Sequence, residues 1–417
     1  MTYAEAVARI LGLRGGERAG MRPGLERIEA LLDAIDRPEQ AFTIAQVGGT
    51  NGKGSISAML AAVLQASGRR VGLYTSPHLR HYRERIRVDG RPISEADFVD
   101  GVEALGTLIA RLDATVFEAG TALALDHFCR SRVDVAVLEV GLGGRLDATT
   151  VGRPAVVALG PIDYDHQREL GDTLTAIAGE KAAIIRSGVA FTARQDPAAA
   201  AVLERRAAQV GVPLAREGHE LSVSPRGFTL EAQRLDLAGP GWRLPDVACG
   251  LLGVFQPGNA LLAAAAGRAL GADEAAIRAG LRGARWPGRF QVFRRDPVVI
   301  LDGAHNPAGC RILAGYLRHH QAARARRVLL FAVMRDKPAA EMLSILRDVA
   351  DEAVVTTLPL PRATPAPDLE RLARDAGLPA TVAPDPAAAL AVAARHAGKG
   401  GLVVACGSLY LVGALTG

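Results

Sequence analysis

The run QVGGTNGKGSISAML, Gln46–Leu60, holds a glycine-rich turn with a lysine at its end. The common phosphate-loop spacing is G-x-x-x-x-G-K-[ST]. Counted back from Gly52-Lys53, the first glycine falls due at position 47, which is Val47; the residue after the lysine is Gly54, with Ser55 one step later. The flanks favour a real loop. FTIAQV (Phe42–Val47) is short, apolar and partly β-branched, which predicts a buried strand. SISAMLAAVLQASG predicts a helix ended by Gly68. A strand, a glycine-rich turn and a helix N-terminus aim several backbone N–H groups at one point, where the helix dipole adds partial positive charge. Gly49, Thr50, Asn51, Gly52, Lys53, Gly54 and Ser55 are therefore the expected nucleotide-binding residues, with Lys53 charged toward the β- and γ-phosphates. The competing reading is a plain glycine turn with a surface lysine.

Working outward, RVGLYT predicts a second strand, and ERIRVDGRPIS alternates about Asp89-Gly90, a hairpin signal. Helical patterns cover about 95–113 and 118–131; DVAVLEV and PAVVAL are strands; a helix spans about 173–187 and GVAFTA is another strand. Strands alternating with helices imply a mostly parallel sheet covered on both faces. Residues 219–246 break the rhythm and suggest a small antiparallel patch, after which helices resume at about 257–283. RWPGRFQVFRRDP (Arg285–Pro297) has few helical signals and reads as a linker. A second alternation then runs from VVILDGA to GLVVACG. The expected fold class is α/β: a P-loop-type, mostly parallel sheet domain over 1–288, a hinge or linker over 289–297, and a smaller Rossmann-like α/β domain over 298–417.

Composition narrows the function classes. Apolar residues make up 49% and charged residues 22%, ordinary for a globular chain. The net charge of +5 is interspersed with no long basic tract, so nucleic acid is not indicated. No apolar run reaches membrane length, and the N-terminal residues lack a signal-peptide pattern. Cys129, Cys249, Cys310 and Cys406 are far apart, without a C-x-x-C pair, which fits a reducing cytoplasm. A monomer is the default expectation.

The altered loop spacing itself is informative. GGTNGKGS resembles the loop of the Mur ligase superfamily, and Gly54 after the lysine is typical of its folylpolyglutamate and dihydrofolate synthase branch. YTSPHL, ERIRVDG, LEVGLGGRLDATT, DYDH, GEKAAIIR, FQPGNA, WPGRFQV, LDGAHNP, VMRDK and CGSLYLVG resemble that branch in order, from residue 46 to 413, with Thr150 where Asn is usual. The resemblance implies an ATP-dependent ligase that adds L-glutamate to dihydropteroate, and to reduced folates, through an acyl phosphate.

Several residues take roles from both position and resemblance. Glu139 closes a parallel strand at the edge where ligands bind. A carboxylate there can hold Mg²⁺. His166 alone reads as a surface or structural histidine; resemblance implies a ligand of a second Mg²⁺. Ser76, alone a turn serine, is implied as a hydroxyl ligand of the first ion. Lys181 alone is a solvated helix lysine; resemblance implies a carbamoylated one that works beside Lys53, Glu139 and His166 in catalysis. Asn259 resembles an adenine contact, Arg289 an arginine reaching the phosphates, and Asp302 a nucleotide contact. His305 is implied at nucleotide or amino acid, and Ser408 with Tyr410 near the glutamate pocket. For the pterin, Phe117 is expected to stack or else to be core, with Thr121 in the same segment and Asp147 pairing with donor nitrogens. Two domains closing over the reactants, hinged at 285–297, would keep water from the acyl phosphate. Two rivals remain: a peptidoglycan Mur ligase, which generally carries a further N-terminal domain and lacks Gly54, and a nucleotide-driven switch, for which no N-K-x-D is evident.

Overall fold

The computed structural model describes residues 1–13, 24–320 and 326–416. The chain divides into two compact units. The first comprises Met1–Gly227, Arg234–Gly250 and Phe255–Arg285; the second comprises Phe228–Gln233, Leu251–Val254 and Trp286–Gly417.

Strands of the first unit are β1 (Thr43–Gly48), β2 (Val71–Tyr74), β3 (Ile86–Val88), β4 (Arg91–Pro92), β5 (Val135–Glu139), β6 (Pro154–Leu159), β7 (Val189–Thr192) and β8 (Leu214–Arg216). They form one sheet in the order β4-β3-β2-β5-β1-β6-β7-β8. Pairs from β2 through β8 are parallel, and only the β2-β3-β4 edge is antiparallel. β1 is buried at all but its first position and β5 throughout. That burial explains why both read as continuous apolar runs rather than alternating ones. Consecutive strands β9 (Ser222–Phe228), β10 (Gln233–Gly239) and β11 (Trp242–Cys249) make a separate small antiparallel sheet, as the broken rhythm implied.

The helix Lys53–Ala66 is buried along most of its length. Helices Gln256–Ala269 and Glu274–Gly283 lie against it at very close range. A Cβ on Gly267 would come within 2.6 Å of the Val63 side chain, and one on Gly280 within 2.4 Å of the Val63 Cα. Small residues are therefore required at the crossing, and the crossing delivers Asn259 to the loop.

In the second unit, β12 (Gln291–Arg295), β13 (Val298–Leu301), β14 (Arg327–Phe331), β15 (Glu352–Val355), β16 (Ala380–Val382) and β17 (Leu402–Cys406) form the order β12-β13-β17-β14-β15-β16. All neighbours are parallel except β12 and β13. The segment 289–297, expected as a linker, is largely the edge strand β12. The hairpin pairs Gln291 with Leu301 and Arg295 with Val298. Its exposed arginines are the charged face that edge strands commonly present. The boundary between units accordingly falls at Arg285/Trp286, and two short inner segments join the second unit. The helix Pro197–Val210 was not anticipated; Asp196 caps it, its carboxylate accepting from the Ala198 N–H at 2.8 Å.

Candidate active site

β1 occupies the centre of its sheet, and its end sets the register of everything around it. Val47 lies opposite Glu139 of β5, and Gly48 opposite Leu159 of β6. Beyond Gly48 the loop adopts conformations that glycine alone takes comfortably. Gly49 has φ +120°, and a Cβ there would sit 2.9 Å from the Gly160 backbone N and O. Gly52 has φ +83°, and its Cβ would strike Asn259 Oδ1 at 2.4 Å. No side chain caps the helix that starts at Lys53. Its first-turn N–H groups have no intrahelical acceptor and form a natural anion seat. The Thr50 and Asn51 amides instead donate to the Pro161 carbonyl at 2.9 and 3.2 Å. The Thr50 hydroxyl is bound to Asp163, donating to its carbonyl and accepting from its amide, both at 3.1 Å.

Two ammonium groups meet on one carbonyl. Lys53 Nζ donates to Gly49 O at 3.2 Å and Thr50 O at 3.1 Å; Lys181 Nζ donates to the same Gly49 O at 3.2 Å. Lys181 occupies the last turn of the helix Leu174–Ala182. Thr173 caps the start of that helix, a contact worth about 1 kcal/mol. Lys181 is only 4% exposed. Burial first, and the neighbouring Lys53 charge second, push its pKa down to about 8; Asp165 and Asp147 pull the other way without prevailing. Desolvation disfavours the charged amine, and a like charge close by adds to that.

Glu139 is buried at the end of β5, and one of its oxygens accepts from the Ser76 N–H at 3.1 Å. Ser76 and Glu139 are thus neighbours. His166 opens the short helix Gln167–Leu170 at φ +49°. Its exposed ring lies 3.7 Å from Asp165 and 3.9 Å from Glu169. Buried Asn259 donates to Gln256 Oε1 at 3.1 Å, and Gln256 donates to the Ser55 hydroxyl at 3.3 Å, tying the helix Gln256–Ala269 to the loop.

The pterin candidates divide. The helix Val116–Arg130 begins with a Thr115–Glu118 capping box. The box sets Phe117 on the first turn, against Tyr74 (ring centroids 5.9 Å apart) and Gly141. Thr121 is fully buried, and its hydroxyl donates to the Phe117 carbonyl at 2.8 Å. Asp147 is occupied by its own loop. Its carboxylate accepts from the N–H groups of Gly141 (3.0 Å), Leu142 (2.9 Å) and Thr149 (2.9 Å), and from the Thr149 hydroxyl. Burial raises its pKa despite these bonds. These bonds make Asp147 the residue that shapes the 141–149 turn.

In the second unit the candidates gather at the ends of β13 and β17. Asp302 accepts from the N–H groups of Phe290 and Ala304, both at 2.8 Å. Burial raises the Asp302 pKa, opposed first by the Arg289 charge. A Cβ on Gly303 would lie 2.9 Å from Arg289 Nη1, so the guanidinium rests over that turn. His305 Nδ1 bonds Gly303 O at 2.8 Å, and Ser408 caps the helix Leu409–Leu415 by accepting from Tyr410 N–H at 3.1 Å. Sequence reading missed Pro161 and Gln256 as supports of the loop and Asp165 as an influence on Lys181; only the motifs DYDH and FQPGNA signalled their neighbourhoods.

A central parallel strand ending in a glycine-forced, lysine-bearing turn defines the class: an α/β protein built on a phosphate-binding loop. The chain belongs to the Mur ligase family, matching the Mur ligase middle domain over residues 47–267 and the Mur ligase glutamate ligase domain over residues 288–409. It is similar to the dihydrofolate synthase/folylpolyglutamate synthase of Bacillus subtilis, 32% identical over 415 residues that cover 96% of each chain. With that of Mycobacterium tuberculosis it is 38% identical over 382 residues, 85% of this chain and 78% of the other. It spans about half, 51%, of the "Probable bifunctional folylpolyglutamate synthase/dihydropteroate synthase" of Halobacterium salinarum. Among solved structures, folylpolyglutamate synthase from Thermotoga maritima superposes with TM-score 0.90 at 32% identity over 99% of this chain and 95% of that one. An Escherichia coli protein in complex with DHPP and ADP superposes with TM-score 0.86 at 31% identity over 100% and 97%. Among the described residues no helix is long and apolar enough to cross a membrane.

Proposed function

We propose that this chain is an ATP-dependent carboxylate–amine ligase that joins L-glutamate to dihydropteroate and extends the glutamyl tail of reduced folates. The observation that carries the reading is the meeting of Lys53 and Lys181 on the Gly49 carbonyl, beside Glu139, at the head of an uncapped helix. Two cations and a helix N-terminus around one turn are matched to a polyphosphate. The similarity to dihydrofolate synthase/folylpolyglutamate synthases supplies the substrates.

The acceptor carboxylate attacks the γ-phosphorus, ADP leaves, and the acyl phosphate that results is attacked by the glutamate amine, releasing phosphate and a proton. Phosphoryl transfer of this kind depends on positioning and charge neutralisation more than on covalent help. Lys53 leaves its resting bonds to Gly49 and Thr50 for the β- and γ-phosphates. Phe117 offers an aromatic face to the pterin. Asn259 meets the adenine, and Asp302, His305 and Ser408 line the nucleotide and glutamate positions of the second unit.

The residues present fit Mg²⁺. Glu139 supplies a hard carboxylate donor, and its bond from the Ser76 N–H makes that serine its neighbour. Among the described residues no cluster of three or more His, Cys, Asp or Glu forms an all-protein cage. Mg²⁺ is commonly held this way, by one or two carboxylates together with substrate phosphates. His166 would serve a second ion. Held by these residues, Mg²⁺ would supply positive charge against the transferred phosphoryl group.

Lys181, with its pKa pushed down to about 8, presents more neutral amine than an ordinary lysine. Addition of CO₂ to that amine, with loss of a proton, makes a carbamate and replaces one of the two cations at Gly49 by an anion. ¹³C-bicarbonate labelling should give a carbamate resonance that Lys181→Ala lacks. A reducing cytoplasm suits the four free thiols.

The deciding assay supplies ATP, Mg²⁺ and glutamate with dihydropteroate in one arm and tetrahydrofolate monoglutamate in the other, reading phosphate release and product mass. Acceptor-dependent release is expected. Absence of turnover with both acceptors, or equal ATP hydrolysis without either, would reject the reading.

A further inference from the structure

A cavity of about 480 Å³ opens in the first unit on the far side of the helix that carries Lys181. Gly179 and Ala183 line it. Each is two residues from Lys181, hence about 160° around the helix from it. The wall is cationic: Arg145, Arg186, Arg205 and Arg206 all contribute.

Of the acids nearby, Glu180 is spent on Arg145 at 2.8 Å. Glu29, which acts on Arg186 through space, is bonded to Arg37. Among the described residues no carboxylate comes within ion-pair distance of Arg186, Arg205 or Arg206. Their observed partners are neutral. Arg206 Nε donates to Ile185 O at 3.0 Å. Arg186 donates to Gly152 O at 2.9 Å, to Val151 O at 3.3 Å and to Gln46 Oε1 at 3.3 Å, and its Nε is buried with no hydrogen-bond partner. A buried, unbonded guanidinium nitrogen costs stability unless something else satisfies it.

We infer that this cavity binds a small multivalent oxyanion, phosphate or carboxylate, at a site separate from the Lys53 loop. Guanidinium forks match both anions in bidentate geometry. The site is also linked to the 141–149 turn. Gln46, which accepts from Arg186, donates to Thr149 Oγ1 at 3.3 Å and Thr150 Oγ1 at 2.9 Å. Thr149 in turn bonds Asp147, the residue that shapes the 141–149 turn. An anion that draws Arg186 toward the cavity therefore acts on that turn through two side chains.

Two probes separate the sources of the anion: inorganic pyrophosphate for the phosphate class, and γ-linked triglutamate for the carboxylate class, the second resting on the function proposed above. Each is titrated calorimetrically into full-length protein saturated with ADP, which occupies the Lys53 loop. One-to-one binding of either or both is expected. Arg205→Glu, on an exposed position, should weaken it at least about tenfold, the loss of a charge-assisted contact, with ADP affinity unchanged. Arg186→Gln should weaken it further; if that variant fails to fold, Arg206→Gln supplies the second reading. Failure of both probes to bind, or equal affinity in the wild type and Arg205→Glu, would overturn the inference. If ADP itself does not bind, the nucleotide assignment fails, and the same comparison with Arg205→Glu in ADP-free protein still decides the cavity.

Discussion

In the first unit, β1 runs out into Gly49–Gly52 and a helix beginning at Lys53; in the second, β13 runs out into Asp302–Asn306 and a helix beginning at Pro307. Both are strand–loop–helix turns at the end of a parallel strand, yet they settle their charge differently. The Asp302 carboxylate is engaged by two backbone N–H groups and faces Arg289, so that loop largely satisfies itself. The Gly49 turn leaves two ammonium groups on one neutral carbonyl, with no acid bonded to either among the contacts described. A self-satisfied loop positions; a loop with surplus charge awaits a ligand of opposite sign.

The sharpest way to break this contrast is Lys53→Ala. Turnover should fall about 10²–10³-fold, the scale of losing one preorganised charge from a reaction centre, while thermal unfolding stays as in the wild type. Retained kcat would remove the loop from the chemistry. Next comes backbone strain. Gly49→Ala places a methyl group against the Gly160 backbone at a positive φ, and denaturant titration should show a loss of about 1–3 kcal/mol.

A third test concerns charge. Below about pH 8 both native and unfolded states keep the Lys181 proton, and the cost of the buried cation is present in full. Between about pH 8 and 10.5 the native state has released it while the unfolded chain still holds it, so this group makes stability rise with pH. In bicarbonate-free buffer Lys181→Met should flatten that rise; an unchanged slope would mean the amine is not depressed. The smallest effect belongs to the second loop. A Cβ on Gly303 meets first the ends of the Leu409 and Arg289 side chains, which can yield, and Gly303→Ala should cost less than about 1 kcal/mol. A loss as large as that at Gly49 would erase the distinction between the two turns.

Much of this was readable beforehand because it is local. β1, its glycines and the following helix announce themselves through an apolar run, residues that tolerate positive φ, and helical periodicity. Glu139 was legible as an acid closing a buried strand. Lys181 was legible only through resemblance: LTAIAGEKA by its own pattern looks like a surface helix, and packing turns its lysine onto the Gly49 carbonyl. The local bonding of Asp147 was equally unseen. A short carboxylate readily bonds backbone N–H groups close in sequence, and here it takes those of Gly141, Leu142 and Thr149. Gln291–Arg295 passed for a linker because an exposed, arginine-bearing edge strand lacks the apolar run that marks a central one.

Sequence by itself determined the alternation of strands and helices, the glycine turn and the charge at its end, since these depend on residues within a few positions of one another. Tertiary structure alone decided that Lys53 and Lys181 share an acceptor, that Asn259 reaches Gly52, and that four arginines wall one cavity. Each of those meetings joins residues far apart in the chain, and it is the packing of buried surfaces, with no short-range signature, that brings them together.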